Sequence, residues 1–161
     1  MGSYYKAHTQ ELIDLYRTLA YKSNMKTLEE IKKEYPALTT NGWTYYSRID
    51  RKEIGSGNIL NRPKEFKAIC DFLNENIGHR KTMNYSGSSY GLKHTVERAI
   101  GHYIANGMFI AAALACGFKI DYRSHYGPNA FFAMSQKDLN RYQYPNKSLT
   151  QGGPALDNAE D

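Results

Sequence analysis

The longest uncharged apolar run, Met108 to Cys116, constrains the fold more than any other feature of this chain. A helix that is apolar on every side must be surrounded by other elements, because any exposed face would place hydrophobic groups in water. Gly117 follows directly and marks the end of that helix. The run is less than half of the roughly 20 residues that a membrane-spanning helix needs. It therefore predicts the central helix of a core and no membrane span.

Amphipathic segments predict the helices that cover it. Residues 63–77 carry an apolar stripe at three- and four-residue spacing behind a proline, and residues 90–105 carry a second stripe that we expect to end at Gly107. Residues 9–35 predict a helical hairpin, in which Thr27 and Glu30 form a capping box at the start of the second helix. We expect the two striped helices to pack against the central one.

The segment after the apolar run favours a β-hairpin near 118–134, because apolar and polar residues alternate on either side of Gly127-Pro128-Asn129. Ser135 and Asp138 cap a short last helix. Residues 80–84 are too polar for a buried strand. The sequence therefore predicts a mainly α fold: a compact bundle of five or six helices with one small hairpin, with residues 1–147 as a single helical domain and 148–161 as a flexible acidic tail.

The charge of the chain indicates its binding partners, and its cysteine content indicates its cellular location. The 161 residues carry a net charge of +5, and all 21 Lys and Arg residues lie at or before Lys147. A basic body favours polyanionic partners, so we expect a nucleic acid, single-stranded or RNA, or an acidic protein surface. Cys70 and Cys116 sit singly among apolar residues, as reduced structural thiols do. With no secretory signal pattern at the start, we expect a cytoplasmic, reducing location.

The first candidate site interleaves aromatic and basic residues, which suits stacking on bases and pairing with phosphates. The same tyrosines could instead line the core, since a tyrosine can bury its ring and keep its hydroxyl in water. The predicted nucleic-acid-binding residues are Trp43, Tyr45, Tyr46, Arg48, Arg51, Lys52, Arg80, Lys81 and Lys93.

The second candidate is a serine- and glycine-rich loop that leads into a helix, where free backbone amides could bind an anion. The alternative is a capped helix after a solvated loop. Its predicted residues are Ser86, Gly87, Ser88, Ser89, Gly91, Lys93 and His94.

Catalytic and metal sites are less favoured. Gly87-x-Ser89-x-Gly91 matches a nucleophile elbow, with Asp121 and His125 available to complete a triad, but no buried strand or parallel sheet is predicted around it. The histidines of residues 90–105 are spread too widely on their helix for one metal ion, so no metal or cofactor is predicted.

Three functions follow in order of preference. The first is nucleic-acid binding or association with a nucleoprotein complex through the aromatic and basic segment. The second is a protein-interaction module, an inhibitor or adaptor without catalytic activity. The third is a small enzyme or phosphate-ligand binder centred on Ser86–His94, and overall we lean against an enzyme.

Overall fold

The computed structural model describes residues 2–43, 57–122 and 127–144. These residues form α-helices and two small antiparallel sheets, which confirms a helix-rich fold with some β structure. The elements in chain order are α1 (Gly2–Ser23), α2 (Leu28–Glu34), β1 (Leu38–Thr39), β2 (Gly42–Trp43), a 3-10 turn (Ile59–Asn61), α3 (Pro63–Asn76), β3 (His79–Asn84), α4 (Ser89–Ile100), α5 (Asn106–Ala115), β4 (Ile120–Asp121), β5 (Phe131–Met134) and α6 (Gln136–Gln143).

Helix α5 is the centre of the core, as the apolar run predicts. All of its residues are buried, including the polar Asn106 at its start. Helix α3 packs against it most extensively, and α2 and α4 also contact it. The Phe109 ring meets Phe132 of β5 edge-on at 5.8 Å between ring centroids, which packs the larger sheet onto the same helix. Burying these side chains supplies the main driving force for the fold.

Gly107 does not cap the helix before it, contrary to our expectation. Helix α4 ends at Ile100, and Gly101 takes the left-handed conformation with φ +81°, donating its N–H to the Glu97 carbonyl at 2.8 Å. Gly107 lies instead in the first turn of α5, where the β1–β2 turn approaches it closely. Glycine therefore serves there for a close backbone approach and not for chain reversal.

The hairpin expected near 118–134 is present, since β4 pairs with β5 through Ile120 opposite Phe132. The sheet is larger than predicted, because β3 pairs with the other side of β5 and gives the order β3-β5-β4. Strand β3 is mostly exposed, in line with the prediction that residues 80–84 are too polar for a buried strand, but no strand was expected at this place. The first four residues of β3 are exposed, and an edge strand with its side chains in water tolerates polar residues.

Helix α1 differs most from the prediction. It runs from Gly2 to Ser23 and so begins seven residues before the hairpin predicted from residue 9. The predicted capping box forms, with the Glu30 N–H donating to Thr27 Oγ1 at 3.2 Å and the Thr27 N–H donating to Glu30 Oε2 at 2.7 Å. Among the described residues, α1 contacts α3 more than α2, so the expected hairpin packing between α1 and α2 does not form there. Instead, five large apolar side chains of α1 are exposed: Leu12, Ile13, Leu15, Tyr16 and Leu19.

The last helix is capped as predicted, because Ser135 Oγ accepts the Asp138 N–H at 3.3 Å. Asp138 also accepts the Gly78 N–H at 2.9 Å, which ties α6 to the chain entering β3. The predicted tail, 148–161, lies outside the described residues. None of the helices in the described part of the chain is long and apolar enough to cross a membrane.

Candidate functional site

Trp43 does not offer an open ring for stacking. Its indole is half-buried, stacks on Tyr122 at 4.4 Å between ring centroids and meets Tyr35 edge-on at 5.6 Å. This aromatic cluster packs against the core. Packing of aromatic residues against the core was the alternative to base stacking in the sequence analysis of this segment. The other members of the predicted segment lie outside the described residues: Tyr45, Tyr46, Arg48, Arg51 and Lys52.

The remaining predicted cations divide into two environments. Arg80 and Lys81 are exposed on the edge strand β3, and the Arg80 guanidinium donates to Thr82 Oγ1 at 3.3 Å. Lys93 is buried, with 4% of its side chain exposed. A phosphate in solution cannot reach Lys93 in that position, so Lys93 is not a surface cation.

The serine- and glycine-rich loop is tied to the sheet through Ser89. The Ser89 N–H donates to the Ala130 carbonyl at 2.7 Å, and Ser89 Oγ accepts the Ala130 N–H at 3.0 Å. Ser88 precedes α4 without a side-chain capping hydrogen bond, and Ser86 donates its N–H to Asn84 Oδ1 at 3.1 Å. A Cβ on Gly87 would contact the Leu92 side chain at 3.7 Å, and a Cβ on Gly91 would meet no atom within 4 Å. The loop thus has a structural attachment at Ser89.

The contacts of Ser89 and Asp121 do not support a catalytic triad of Ser89, Asp121 and His125. Ser89 is fully buried and its hydroxyl is engaged with Ala130. Asp121 accepts the Tyr85 hydroxyl at 2.9 Å, and His125 lies outside the described residues. The strand before the loop is an exposed antiparallel edge, whereas a nucleophile elbow follows a buried strand of a parallel sheet.

A buried ion pair organises the outer side of α4. Lys93 Nζ donates to Glu97 Oε1 at 2.9 Å and to the Ile104 carbonyl at 3.0 Å. Glu97 also accepts the Ile104 N–H at 2.9 Å, and its other oxygen accepts from His94 Nδ1 at 2.5 Å. Burial raises the pKa of Glu97, but the hydrogen bonds from Ile104, Lys93 and His94 outweigh it and leave the pKa below its ordinary value. The carboxylate therefore stays ionised and neutralises Lys93.

Two exposed tyrosines lie on the buried ammonium group. Lys93 Nζ is 5.3 Å from the centroid of the Tyr90 ring and 4.7 Å from that of Tyr103. The two residues are 54% and 66% exposed, respectively. Tyr90 also meets His94 edge-on at 4.9 Å. A cation at this distance from an aromatic face attracts the ring, so Lys93 helps to hold both tyrosines in place.

Basic residues extend this surface toward the start of α3. The Arg62 guanidinium lies 6.0 Å from the Tyr103 centroid, and its Nε pairs with Glu65 Oε2 at 3.2 Å. Glu65 accepts the Ala105 N–H at 2.7 Å, which joins α3 to α5. A shallow depression of about 430 Å³ opens here between residues 61 and 65, beside the exposed Lys64. The Tyr90–Tyr103 surface is defined by Arg62, Lys64, Tyr90, His94 and Tyr103.

Tyr90 and Tyr103 are not among the site residues predicted from the sequence. A signal existed for Tyr90, since residues three apart on a helix share a face and Tyr90 precedes Lys93 by that spacing. No comparable signal exists for Tyr103, because it reaches Lys93 after the chain turns at Gly101.

No group of three or more His, Cys, Asp or Glu side chains that could hold a metal ion is found in the described ranges. His102, which lies beyond the end of α4, contacts the carbonyl oxygen of Tyr103 at 3.2 Å through Nδ1. Comparisons of the chain with protein-family models, with curated proteins and with solved structures give no match.

Proposed function

We propose that this protein binds single-stranded nucleic acid across the Tyr90–Tyr103 surface. The observation that carries the proposal is a pair of tyrosine residues, each more than half exposed, whose rings lie on one buried cation. Bases of any identity stack on exposed aromatic faces, and single strands leave their bases free to do so. The basic residues beside the rings supply the contacts that a phosphate backbone requires.

The surface is preorganised, which favours binding. Lys93 is fixed by Glu97 and by the Ile104 carbonyl, so the rings that lie on it lose less rotational freedom when a base stacks on them. The centroids of the Tyr90 and Tyr103 rings both lie within 5.3 Å of Lys93 Nζ, so the two rings are close to each other. Neighbouring bases of one strand can thus reach both rings.

The charge near the rings sets the expected salt dependence. Glu97 neutralises Lys93, so the available cations of this surface are Lys64 and Arg62, the latter partly neutralised by Glu65. Two phosphate contacts correspond to a slope of about −1.4 for the logarithm of the association constant against the logarithm of salt concentration. We therefore expect moderate salt sensitivity.

Fluorescence anisotropy with labelled single-stranded DNA and RNA, at salt concentrations of about 50 and 200 mM, tests the proposal. Tyr103→Ala and Tyr90→Ala should each weaken binding by roughly 5- to 100-fold, the range that loss of one stacked base gives. The matched control is Tyr144→Ala, because Tyr144 is exposed to the same extent as Tyr90 but follows α6. This control should bind like the wild type.

Substitutions of lysine test the phosphate contacts separately. Lys64→Ala should reduce the slope of the salt dependence by about 0.7, which one single-strand phosphate contributes. Lys137→Ala removes an exposed lysine of α6 and should leave the slope unchanged. Absence of binding at the lower salt concentration, or wild-type affinity of both tyrosine variants, would overturn the proposed function.

A further inference from the structure

Helix α1 presents an apolar stripe that the described part of the chain does not cover. Four of its side chains project within an arc of about 100° around the helix axis. Leu12 is 46% exposed, Leu15 53%, Tyr16 71% and Leu19 54%. Soluble proteins seldom leave so continuous an apolar face in water, and such a face marks an interaction site.

The stability of α1 gives a second reason to expect a covering partner. A helix of this length in water gains most of its stability from packing of its apolar face, and an isolated one is marginal. In α1, residues 6–16 are all exposed, so the body of the protein contributes little packing there.

We propose that a second copy of this chain covers the stripe, with the two α1 helices antiparallel about a two-fold axis between Leu15 and Tyr16. In this register Leu12 lies opposite Leu19 of the second copy, and Leu15 lies opposite Tyr16. Each of the four residues of the stripe then contacts an apolar residue of the other copy. Each of the two pairs occurs twice, as the symmetry of a two-fold interface requires.

Charge complementarity selects the antiparallel arrangement. Glu11 and Lys22 lie on the same flank of the stripe, about 20° apart around the helix. A two-fold axis perpendicular to the helices brings equal flanks together, so Glu11 of one copy comes within about 3 Å along the axis of Lys22 of the other. In a parallel pair the two-fold axis runs along the helices and brings opposite flanks together, so Glu11 of one copy would not face Lys22 of the other. The apolar stripe and the Glu11–Lys22 pairs beside it are therefore both complementary to a second copy of α1 that runs in the opposite direction.

The buried area indicates how strong the association should be. Covering these half-exposed side chains on two helices removes on the order of 1,000 Å² from water, the lower bound for a specific interface. We expect a dimer that dissociates on dilution.

Sedimentation velocity of the full chain, from about 1 μM to about 1 mM, tests the association. The average mass should rise from 18.4 kDa toward twice that value. Leu15→Lys should abolish the rise, because the substituted position and its symmetry mate lie beside the axis. Gln10→Lys introduces the same charge on the opposite face of α1 and should leave the dimer intact, with circular dichroism confirming the helix content of both variants.

Charge reversal tests the orientation. Glu11→Lys and Lys22→Glu should each weaken association by roughly 5-fold, since each replaces two attractive pairs by two repulsive ones. The double variant should recover the wild-type dissociation constant. A monomer at about 1 mM, a dimer that tolerates Leu15→Lys, or single reversals that the double variant does not rescue would each overturn the proposal.

Discussion

Gly107 of α5 and Thr39 of β1 are in backbone contact. A Cβ built on Gly107 would lie 1.6 Å from the Thr39 carbonyl oxygen, far inside any allowed separation. The Gly107 N–H donates to the neighbouring Thr40 carbonyl at 2.8 Å, so the same turn that crowds the glycine also satisfies an amide of the first helical turn. This contact joins the smaller sheet to the central helix.

Gly107→Ala should therefore destabilise the protein by about 3 kcal/mol or more, because the added methyl group must push a backbone strand away from the core. Urea unfolding followed by circular dichroism measures the change. The midpoint should fall while the slope with denaturant concentration stays the same.

Gly91→Ala is the matched control for that substitution. Gly91 is exposed inside α4, and a Cβ there would meet no atom within 4 Å. Gly91 lies in the first turn of that helix. Alanine is favoured over glycine by roughly 0.5 to 1 kcal/mol in a helix interior, so at this position the variant should be at least as stable as the wild type. If Gly107→Ala proved as stable as Gly91→Ala, the close contact with Thr39 would be refuted.

The ion pairs of α3 and α4 should differ sharply in their contribution to stability. Lys93→Met leaves the Glu97 carboxylate buried without its cation, and we expect a loss of about 3 to 5 kcal/mol. Lys67→Met removes a lysine with the same four-residue spacing to its acid, but 76% of that side chain is exposed. Water screens such a pair, so the unfolding midpoint should hardly move. Equal destabilisation by both variants would contradict the burial of Lys93.

Features that depend only on residues close together in the sequence could be predicted. The uncharged run identified α5, and the capping residues Thr27 and Ser135 identified the starts of two helices, because a cap involves atoms within one turn. The roles of Gly101 and Gly107 could not be separated in this way. Both follow apolar helical stripes, and the approach of Thr39 that distinguishes them depends on tertiary structure.

The candidate site was less predictable for the same reason. Lys93 follows a glycine-rich loop, which favoured a surface role, but its burial results from the return of the chain at Ile104. Strand β3 could not be predicted because most of its side chains are exposed, so its residues are mainly polar. Alternation of apolar and polar residues identifies a strand only when one of its faces is buried. The proposed stacking surface emerges where separate segments meet at one buried cation.

Acid should weaken the fold through Glu97. Its pKa lies below the ordinary value of 4.5 in the folded protein, so the folded state favours the ionised form. The associated stability is present above pH 4.5 and is lost as the pH falls through the lowered pKa. Urea midpoints measured between about pH 6 and pH 3 should fall for the wild type. The fall should be smaller for Glu97→Gln, and an identical pH profile for the two proteins would contradict the lowered pKa.

The two cysteine thiols should be protected from reagents in the native state. Cys70 and Cys116 are both buried, and the hydrogen bond with the Cys116 thiol, followed by burial, raises the pKa of Cys70. Because the thiolate is the reactive form, reaction with an aromatic disulfide reagent at pH 8 should be on the order of 1,000-fold slower than in denaturant.

Reaction then requires opening of the core between α3 and α5, so its rate should follow global stability. Lys93→Met should accelerate it strongly, whereas Lys67→Met should leave it unchanged. Rapid modification of either thiol in the wild-type protein would show that the interface between α3 and α5 opens without unfolding, and that its packing contributes less stability than the buried contacts indicate.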